Sequence, residues 1–170
     1  IQNPLATGLL LLYLKQNEPY FALIQRPVYE GTHSGQIAFP GGKVEEADRD
    51  IIHTALREAN EEIGVIMNDV EVLGQLTDVY IPVSNFIITP IVGVVNYHPN
   101  FMAEEKEVAE ILELKLSNLT EIEKLILNKV ELTNGLKIEV PTFEFNEKIV
   151  WGATAVILNE LRHVLKEWES

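Results

Sequence analysis

Several features that define other classes of protein are missing from this chain of 170 residues, which contains no cysteine. Without thiols it forms neither disulfides nor thiolate metal sites, a composition that suits a reducing cytoplasm. Its longest purely apolar run, Leu9 to Leu12, is too short to cross a bilayer and lacks the basic flank of a signal peptide. We therefore expect a cytoplasmic protein with no membrane partner.

Positive charge is also scarce, because 13 lysines and arginines are outnumbered by 26 acidic residues, for a net charge of −13. No basic cluster interrupts this excess, so nucleic-acid binding through phosphate neutralisation is disfavoured. A small phosphate ester is a different ligand, since metal ions and a few cations such as Arg26, Lys43 and Arg57 can neutralise it locally. The expected partner is therefore a small molecule.

The most informative stretch, Gly41 to Val65, contains an acidic helical pattern. Apolar residues at helical spacing precede Glu58, Glu61 and Glu62, and Gly64 follows where a helix would stop. In a helix these glutamates occupy positions i, i+3 and i+4 and project from one face, where they repel one another. A hard divalent cation, Mg2+ or Mn2+, would relieve the repulsion. A solvated acidic face is the plainer interpretation.

Two neighbouring features favour the metal site. Gly41 and Gly42 follow a short apolar run, and adjacent glycines let the backbone approach a ligand or offer a carbonyl oxygen to a metal. Arg57 directly precedes the first glutamate, so it can pair with an acid of the preceding loop and fix that loop to the helix.

The stretch resembles the Nudix box, whose pattern is Gly, five residues, Glu, seven residues, Arg-Glu, an apolar residue, any residue, Glu-Glu, any residue, Gly and an apolar residue. The matching residues are Gly42, Arg57, Glu58, Ala59, Glu61, Glu62, Gly64 and Val65. The first acid is Asp48 instead of glutamate, and eight residues separate it from Arg57. We expect the extra residue in the loop, where it leaves the helical spacing unchanged.

Upstream residues narrow the resemblance to the coenzyme A pyrophosphatase branch of the Nudix hydrolases. The segments Leu23 to Arg26 and His33 to Gly42 are similar to the signature that precedes the box in that branch, and Trp151 to Thr154 is similar to a later motif. The branch usually has a leucine-arginine pair where this chain has Glu30-Gly31. This departure affects the identity of the substrate more than the hydrolytic chemistry.

The resemblance implies hydrolysis of a diphosphate linkage in a nucleoside diphosphate derivative; coenzyme A would give adenosine 3',5'-bisphosphate and 4'-phosphopantetheine. It implies divalent ions held by Glu58, Glu61, Glu62 and a carbonyl near Gly41 or Gly42. The general base would be Glu58, Glu61 or an acid from a later loop. Glu107 is our candidate for that later acid, with Glu104, Glu105 and Glu110 as alternatives.

The remaining site residues follow from the same resemblance. Arg57 is expected to hold the helix to the loop, and Arg26, His33 and Gln36 are expected to contact substrate. For His33 a solvated or capping role is the plainer interpretation. Two other functions stay open, a Nudix enzyme acting on ADP-ribose or a dinucleotide and a non-enzymatic Nudix-fold sensor or interaction module. A homodimer is compatible with each of them.

A chain of this length is long enough for one domain over residues 1–170 with a substantial core. The resemblance implies an α/β fold, an α/β/α sandwich with a mixed sheet between helices. Periodicity and turn residues predict strands at Gly8–Lys15, Tyr20–Arg26, Gln36–Phe39, Asp69–Thr77, Phe86–Tyr97 and Glu107–Leu114, with a loop at Asp78–Asn85. They also predict a helix at Leu116–Leu127 capped by Ser117, a hairpin at Val130–Phe145 around Asn134-Gly135, and an amphipathic helix at Ile149–Trp168.

Overall fold

The computed structural model describes residues 3–31, 33–123 and 125–170, and within them it contains strands, helices and one short 3-10 turn. The strands are β1 (Leu5–Lys15), β2 (Glu18–Gln25), β3 (Ile37–Ala38), β4 (Gly41–Lys43), β5 (Glu71–Gln75), β6 (Val79–Ile81), β7 (Phe86–Val94), β8 (Glu110–Lys115), β9 (Ile126–Glu131), β10 (Lys137–Phe145) and β11 (Lys148–Val150). The helices are α1 (Ile51–Ile63), α2 (Leu116–Thr120) and α3 (Gly152–Glu169), and the 3-10 turn is Met67–Asp69.

The main sheet is built around β1, which explains why that strand is apolar along most of its length. It pairs with β7 in parallel and with β2 and β4 antiparallel, in the strand order β3-β2-β1-β7-β5, with β8 beside β2 and β6 beside β7. A strand buried on both faces loses the polar alternation of a half-exposed strand. The predicted mixed sheet is confirmed.

Successive residues of β1 and β2 enter opposite layers of the core, as side chains in a strand must. Leu9, Leu11, Ala22 and Ile24 pack with the apolar face of α1. Leu10, Phe21 and Leu23 pack with α3 and with a second sheet, which has the strand order β11-β10-β9. The main sheet therefore lies between two helical layers, and the predicted α/β/α sandwich is confirmed.

The segment after β8 differs from the prediction of a helix at Leu116–Leu127. The helix α2 ends at Thr120 and β9 follows it. Its N-cap residue is Lys115 and no side chain caps it, so the prediction that Ser117 caps this helix is wrong. Tertiary pairing overrides helix propensity here, because β9 runs antiparallel to β10 from Ile126 opposite Thr142 to Glu131 opposite Lys137. The predicted hairpin around Asn134-Gly135 is confirmed, with Gly135 at φ 79°.

Two other predictions need correction. The predicted loop Asp78–Asn85 contains β6, which pairs with β7 through Val79 opposite Ile88. The last helix begins at Gly152 instead of Ile149, because Lys148–Val150 pairs with β10. Helical periodicity predicts one apolar stripe of Ala153, Val156, Ile157, Leu161, Val164, Leu165 and Trp168. The prediction is wrong at Val156, Val164 and Trp168, which are exposed. The face that packs on the core instead contains Ala155, Ile157, Leu158 and Leu161.

None of the helices in the part of the chain that the structure describes is long and apolar enough to cross a membrane.

Candidate active site

Helix α1 packs its apolar side on the sheet, and its acidic side faces Gly41 and Gly42 of β4. Its N-cap, Asp50, accepts a hydrogen bond from the backbone N–H of His53 at 2.7 Å, and Gly64 ends it in the left-handed conformation at φ 75°. Ala55, Ala59 and Ile63 are fully buried against β1 and its neighbours. This burial fixes the rotation of α1 and hence the direction of its glutamates.

Two of those glutamates, Glu58 and Glu62, lie against Gly41 and Gly42, the first two residues of β4. Oε1 of Glu62 accepts a hydrogen bond from the backbone N–H of Gly41 at 2.7 Å. A Cβ atom at Gly42 would lie 2.5 Å from the carboxyl carbon of Glu58, so a glycine there gives the carboxylate its space. The two glycines are held in place because β4 pairs with β1, where Gly41 lies opposite Gly8.

Burial disfavours the ionised form of these two carboxylates and so raises their pKa values. Glu62 is only 1% exposed, and this burial raises its pKa to about 8, although the Gly41 hydrogen bond and the charge of Arg26 act in the opposite direction. Burial also raises the pKa of Glu58, against the pull of Arg57. Glu107 adds a smaller upward contribution to both groups, so Arg26, Glu58, Glu62 and Glu107 lie within electrostatic reach of one another.

Glu61 and Glu107 lie in a more open part of the site. They line a depression of about 440 Å³ together with Glu104 and Lys106. The loop that carries Glu107 is fixed to the end of α1, because the backbone N–H of Glu104 donates to the carbonyl of Glu62 at 2.8 Å. Glu107 itself lies in a turn before β8, which begins at Glu110 and not at Glu107 as predicted.

Arg57 connects the loop before α1 to the acidic face. Its Nε and one terminal nitrogen donate to the two carboxylate oxygens of Asp48 at 2.8 and 3.0 Å, so the predicted Asp48–Arg57 pair is present despite the extra loop residue. Its other terminal nitrogen donates to Glu58 at 3.1 Å and Glu61 at 3.3 Å. The Arg57 hydrogen bonds are the main reason that the pKa of Asp48 lies well below its usual range.

The three residues predicted to contact substrate come together at the base of the loop between β2 and β3. The backbone N–H of Arg26 donates to the carbonyl of Gln36 at 2.9 Å, and the side chains of His33 and Gln36 are 3.0 Å apart, from Nδ1 to Oε1. His33 adopts a positive φ of 69°. Burial raises the pKa of Glu62 and the charge of Arg26 acts to lower it, so this end of the loop between β2 and β3 lies close to the acidic face of α1.

Sequence reasoning missed two groups near the site. Lys148 donates to Oε1 of Gln25 and to Glu110, both at 2.9 Å, at the end of β2 next to Arg26. His53 and Thr54 both contact Asp48. No sequence motif indicates Lys148, since its position depends on the second sheet. Thr54 could have been found from the sequence, because a hydroxyl on the buried side of an amphipathic helix needs a hydrogen-bond partner.

The donor chemistry of the site fits a hard divalent ion. Every predicted ligand, from Glu58, Glu61, Glu62 and Gly42, offers oxygen, and the space at Gly42 is filled by the Glu58 carboxylate. In residues 3–31, 33–123 and 125–170, no three acidic, histidine or cysteine side chains already stand in the arrangement of a metal site. Arg57 holds Glu58 and Glu61, and Gly41 holds Glu62. Loading with metal would therefore require these carboxylates to exchange partners.

The raised pKa of Glu62 predicts that the metal-free protein becomes less stable as pH rises. The folded-state pKa, about 8, exceeds the ordinary value of 4.5, so folding favours the protonated form. This stabilisation is complete below pH 4.5 and is lost as pH rises through about 8. Glu58 acts in the same direction, whereas the lowered pKa of Asp48 affects stability only in more acidic solution. Thermal unfolding with a chelator present, from about pH 5 to about pH 9, measures the effect.

Two variants identify the source of that pH dependence. Glu62→Gln removes the titrating group and should flatten the decline in melting temperature. Glu139→Gln makes the same chemical change at an exposed position of β10 and should behave like the wild type. An equally steep decline in Glu62→Gln and wild type would contradict the assignment.

The fold and the site define a class of protein, an α/β/α sandwich in which a carboxylate-bearing helix lies against a pair of glycines. The family model described as the NUDIX domain matches residues 2–131, so the chain belongs to the Nudix hydrolase family. It is 36% identical over 146 residues to the uncharacterized Nudix hydrolase NudL of Pectobacterium atrosepticum, covering 84% of this chain and 73% of that protein. Nudix enzymes generally use divalent metal ions, and hydrolysis of diphosphate linkages in nucleotide derivatives fits this membership.

Solved structures of the family show the same fold. The Nudix hydrolase RenU of M. smegmatis superposes with a TM-score of 0.65 at 15% identity, over 97% of this chain and 87% of that one. The Ap4A hydrolase of C. elegans, in a binary complex, superposes with a TM-score of 0.61 at 13% identity, over 96% of this chain and 98% of that one.

Proposed function

We propose that this enzyme hydrolyses the diphosphate linkage of coenzyme A or its derivatives in the presence of Mg2+ or Mn2+, with adenosine 3',5'-bisphosphate and 4'-phosphopantetheine as products. The observation that carries the proposal is the pair of carboxylates set against Gly41 and Gly42, of which Glu62 is buried and Glu58 partly buried. Burial raises the pKa of both acids because their ionised forms are costly in the folded protein, and a divalent ion would offset that cost.

The metal would be held by Glu58 and Glu62, with Glu61 and a carbonyl oxygen of Gly42 as further donors. When bound, it would neutralise the charge of the diphosphate and lower the pKa of a coordinated water. The proton of the attacking water would pass to a carboxylate of Glu58, Glu61 or Glu107. Glu61 and Glu107 both line the open depression beside α1, which supports either of them as the base.

The substrate would approach from the loop between β2 and β3. Arg26 supplies positive charge close to Glu62, which favours a role in binding the diphosphate. Gln36 and His33 support each other through their side chains and would add polar contacts to substrate. In this assignment Arg57 contacts no substrate and instead holds Glu58 and Glu61 in place.

The second candidate function is Nudix hydrolysis of ADP-ribose or a dinucleotide. It is favoured by Glu30-Gly31, which stands where the coenzyme A branch has a leucine-arginine pair. Both residues line a depression of about 500 Å³ between this loop and the turn of the β9–β10 hairpin. An acid thus stands in place of the leucine, and a glycine in place of the arginine, on a surface next to the proposed substrate contacts. A non-enzymatic sensor ranks last, since every carboxylate of the box is present.

Product analysis with a small substrate panel tests the proposal. Purified protein would be incubated with Mg2+ or Mn2+ and coenzyme A, ADP-ribose, a diadenosine polyphosphate or a nucleoside triphosphate. We expect coenzyme A to be cleaved to the bisphosphate. Turnover of another panel member alone would replace coenzyme A as the substrate, and metal binding without any turnover would favour the sensor.

A further inference from the structure

Asp48 is a buried carboxylate with an unusually complete set of donors. Its side chain is 1% exposed, and its oxygens accept from Arg57, from Thr54 and from the backbone N–H of Glu45. His53 also contacts it, from Nδ1 to Oδ1 at 3.1 Å. An ionised carboxylate only accepts, so Nδ1 is the protonated nitrogen of His53. Since its side chain is 1% exposed, the orientation of this carboxylate is set by protein donors.

Thr54 is the donor whose role is least explained by local structure. It is fully buried, and its hydroxyl lies 2.8 Å from Oδ2 of Asp48 and 3.3 Å from the carbonyl of Asp50. A threonine in a helix often bonds the carbonyl four residues earlier, and that contact would be purely local. One hydroxyl proton makes one good hydrogen bond, and the shorter distance assigns it to Asp48.

The hydrogen bonds continue from Asp48 to the acidic face. Asp48 engages Nε and one terminal nitrogen of Arg57, and this bidentate pair fixes the plane of the guanidinium. The orientation of the remaining terminal nitrogen, which holds Glu58 and Glu61, is fixed with it. A change in the Asp48 carboxylate is therefore transmitted to the proposed metal ligands.

We propose that Thr54 is a positioning residue of the active site, acting through Asp48 and Arg57 on the carboxylates of Glu58 and Glu61. This inference rests on the proposed function for its kinetic consequence. Its consequence for metal affinity does not depend on which substrate is used. The Thr54 hydroxyl lies within hydrogen-bond distance of Asp48 and of the Asp50 carbonyl, neither of which is a predicted metal ligand or substrate contact. Its influence on the ligands passes through the side chains of Asp48 and Arg57.

The test compares Thr54→Val, which keeps the shape and removes the hydroxyl, with Thr54→Ser, which keeps the hydroxyl. Thr89→Val is the matched control, because Thr89 is also buried and donates to a carboxylate, that of Asp78, at 2.7 Å. For each protein one would measure Mn2+ affinity by electron paramagnetic resonance, kcat and KM on the panel substrate that is turned over, and the melting temperature.

We expect Thr54→Val to lose about 10-fold to about 100-fold in Mn2+ affinity and in kcat, the range found when partners of metal ligands are removed. KM should stay close to the wild-type value, Thr54→Ser should restore both quantities, and Thr89→Val should lower only the melting temperature. If Thr54→Val lowers the melting temperature as Thr89→Val does and leaves Mn2+ affinity and kcat unchanged, Thr54 is merely structural and the inference is overturned. A wild-type protein that cleaves no panel member would refute the proposed function, and the Mn2+ affinities would still decide the role of Thr54.

Discussion

Glu62→Gln should reduce turnover by at least about 100-fold, because even the loss of an outer partner of a metal ligand costs up to that factor. Glutamine retains an oxygen that can accept the hydrogen bond from the N–H of Gly41, now 2.7 Å long. What it removes is the negative charge, which a divalent ion needs. Because burial raises the pKa of this group to about 8, folding at neutral pH requires Glu62 to take up a proton, a cost that glutamine avoids. The metal-free variant should therefore be at least as stable as the wild type at neutral pH.

Initial rates at saturating metal, measured beside melting temperatures, test this prediction. Glu139→Gln again serves as the control, because it changes the net charge equally at an exposed position of β10. Loss of turnover in Glu62→Gln with an unchanged or higher melting temperature would identify a functional group. Wild-type turnover in this variant would remove Glu62 from the active site.

Gly42→Ala should inactivate the enzyme without unfolding it, whereas Gly41→Ala should disrupt the fold itself. The new Cβ at Gly42 would lie 2.5 Å from the carboxyl carbon of Glu58, which is the flexible end of a side chain and can move away. A displacement of about 1 Å in a reacting group can cost about 100-fold in rate. The Cβ of Gly41→Ala would lie 2.0 Å from the carbonyl oxygen of Thr7, and the main chain of β1 cannot yield.

Circular dichroism, melting temperature and kcat of the two variants distinguish these effects. Gly42→Ala should keep the wild-type spectrum and lose about 100-fold in kcat. Gly41→Ala should be poorly folded, because the alanine disrupts the pairing of β4 with β1. A Gly42→Ala enzyme with wild-type kcat would show that the position of the Glu58 carboxylate does not limit catalysis.

The layers of the fold could be predicted where local pattern and tertiary packing agree. In β1, alternating Leu9 and Leu10 supply opposite faces of the sheet, and in α1, Ala55, Ala59 and Ile63 make one apolar side. The same reasoning gave a wrong prediction for the segment after Thr120, where the helix was expected to continue to Leu127. Its isoleucine, leucine and valine residues suit a helix or a strand, and only the distant partner β10 decides between them.

The candidate site divides in a similar way. Spacing within one helix places Glu58 and Glu62 on the same side. The Asp48–Arg57 pair could be predicted only from the resemblance to the Nudix box and from the tendency of arginine to pair with a loop acid. Spacing does not reveal that Glu61 is turned outward and half exposed while Glu62 is buried. The position of Glu107 depends on a hydrogen bond between the loop at Glu104 and the end of α1, a contact that no local pattern predicts.

Hydrolysis in 18O-labelled water tests the central claim most directly, that metal held by Glu58 and Glu62 promotes attack of water on a diphosphate linkage. The products of the substrate that is turned over would be analysed by mass spectrometry with Mg2+, with chelator and with Glu62→Gln. We predict one labelled oxygen in one of the two phosphate products with Mg2+, and at least about 100-fold less product in the other two reactions. Unlabelled products, or labelled products that form equally well with chelator or Glu62→Gln, would contradict this account of the site.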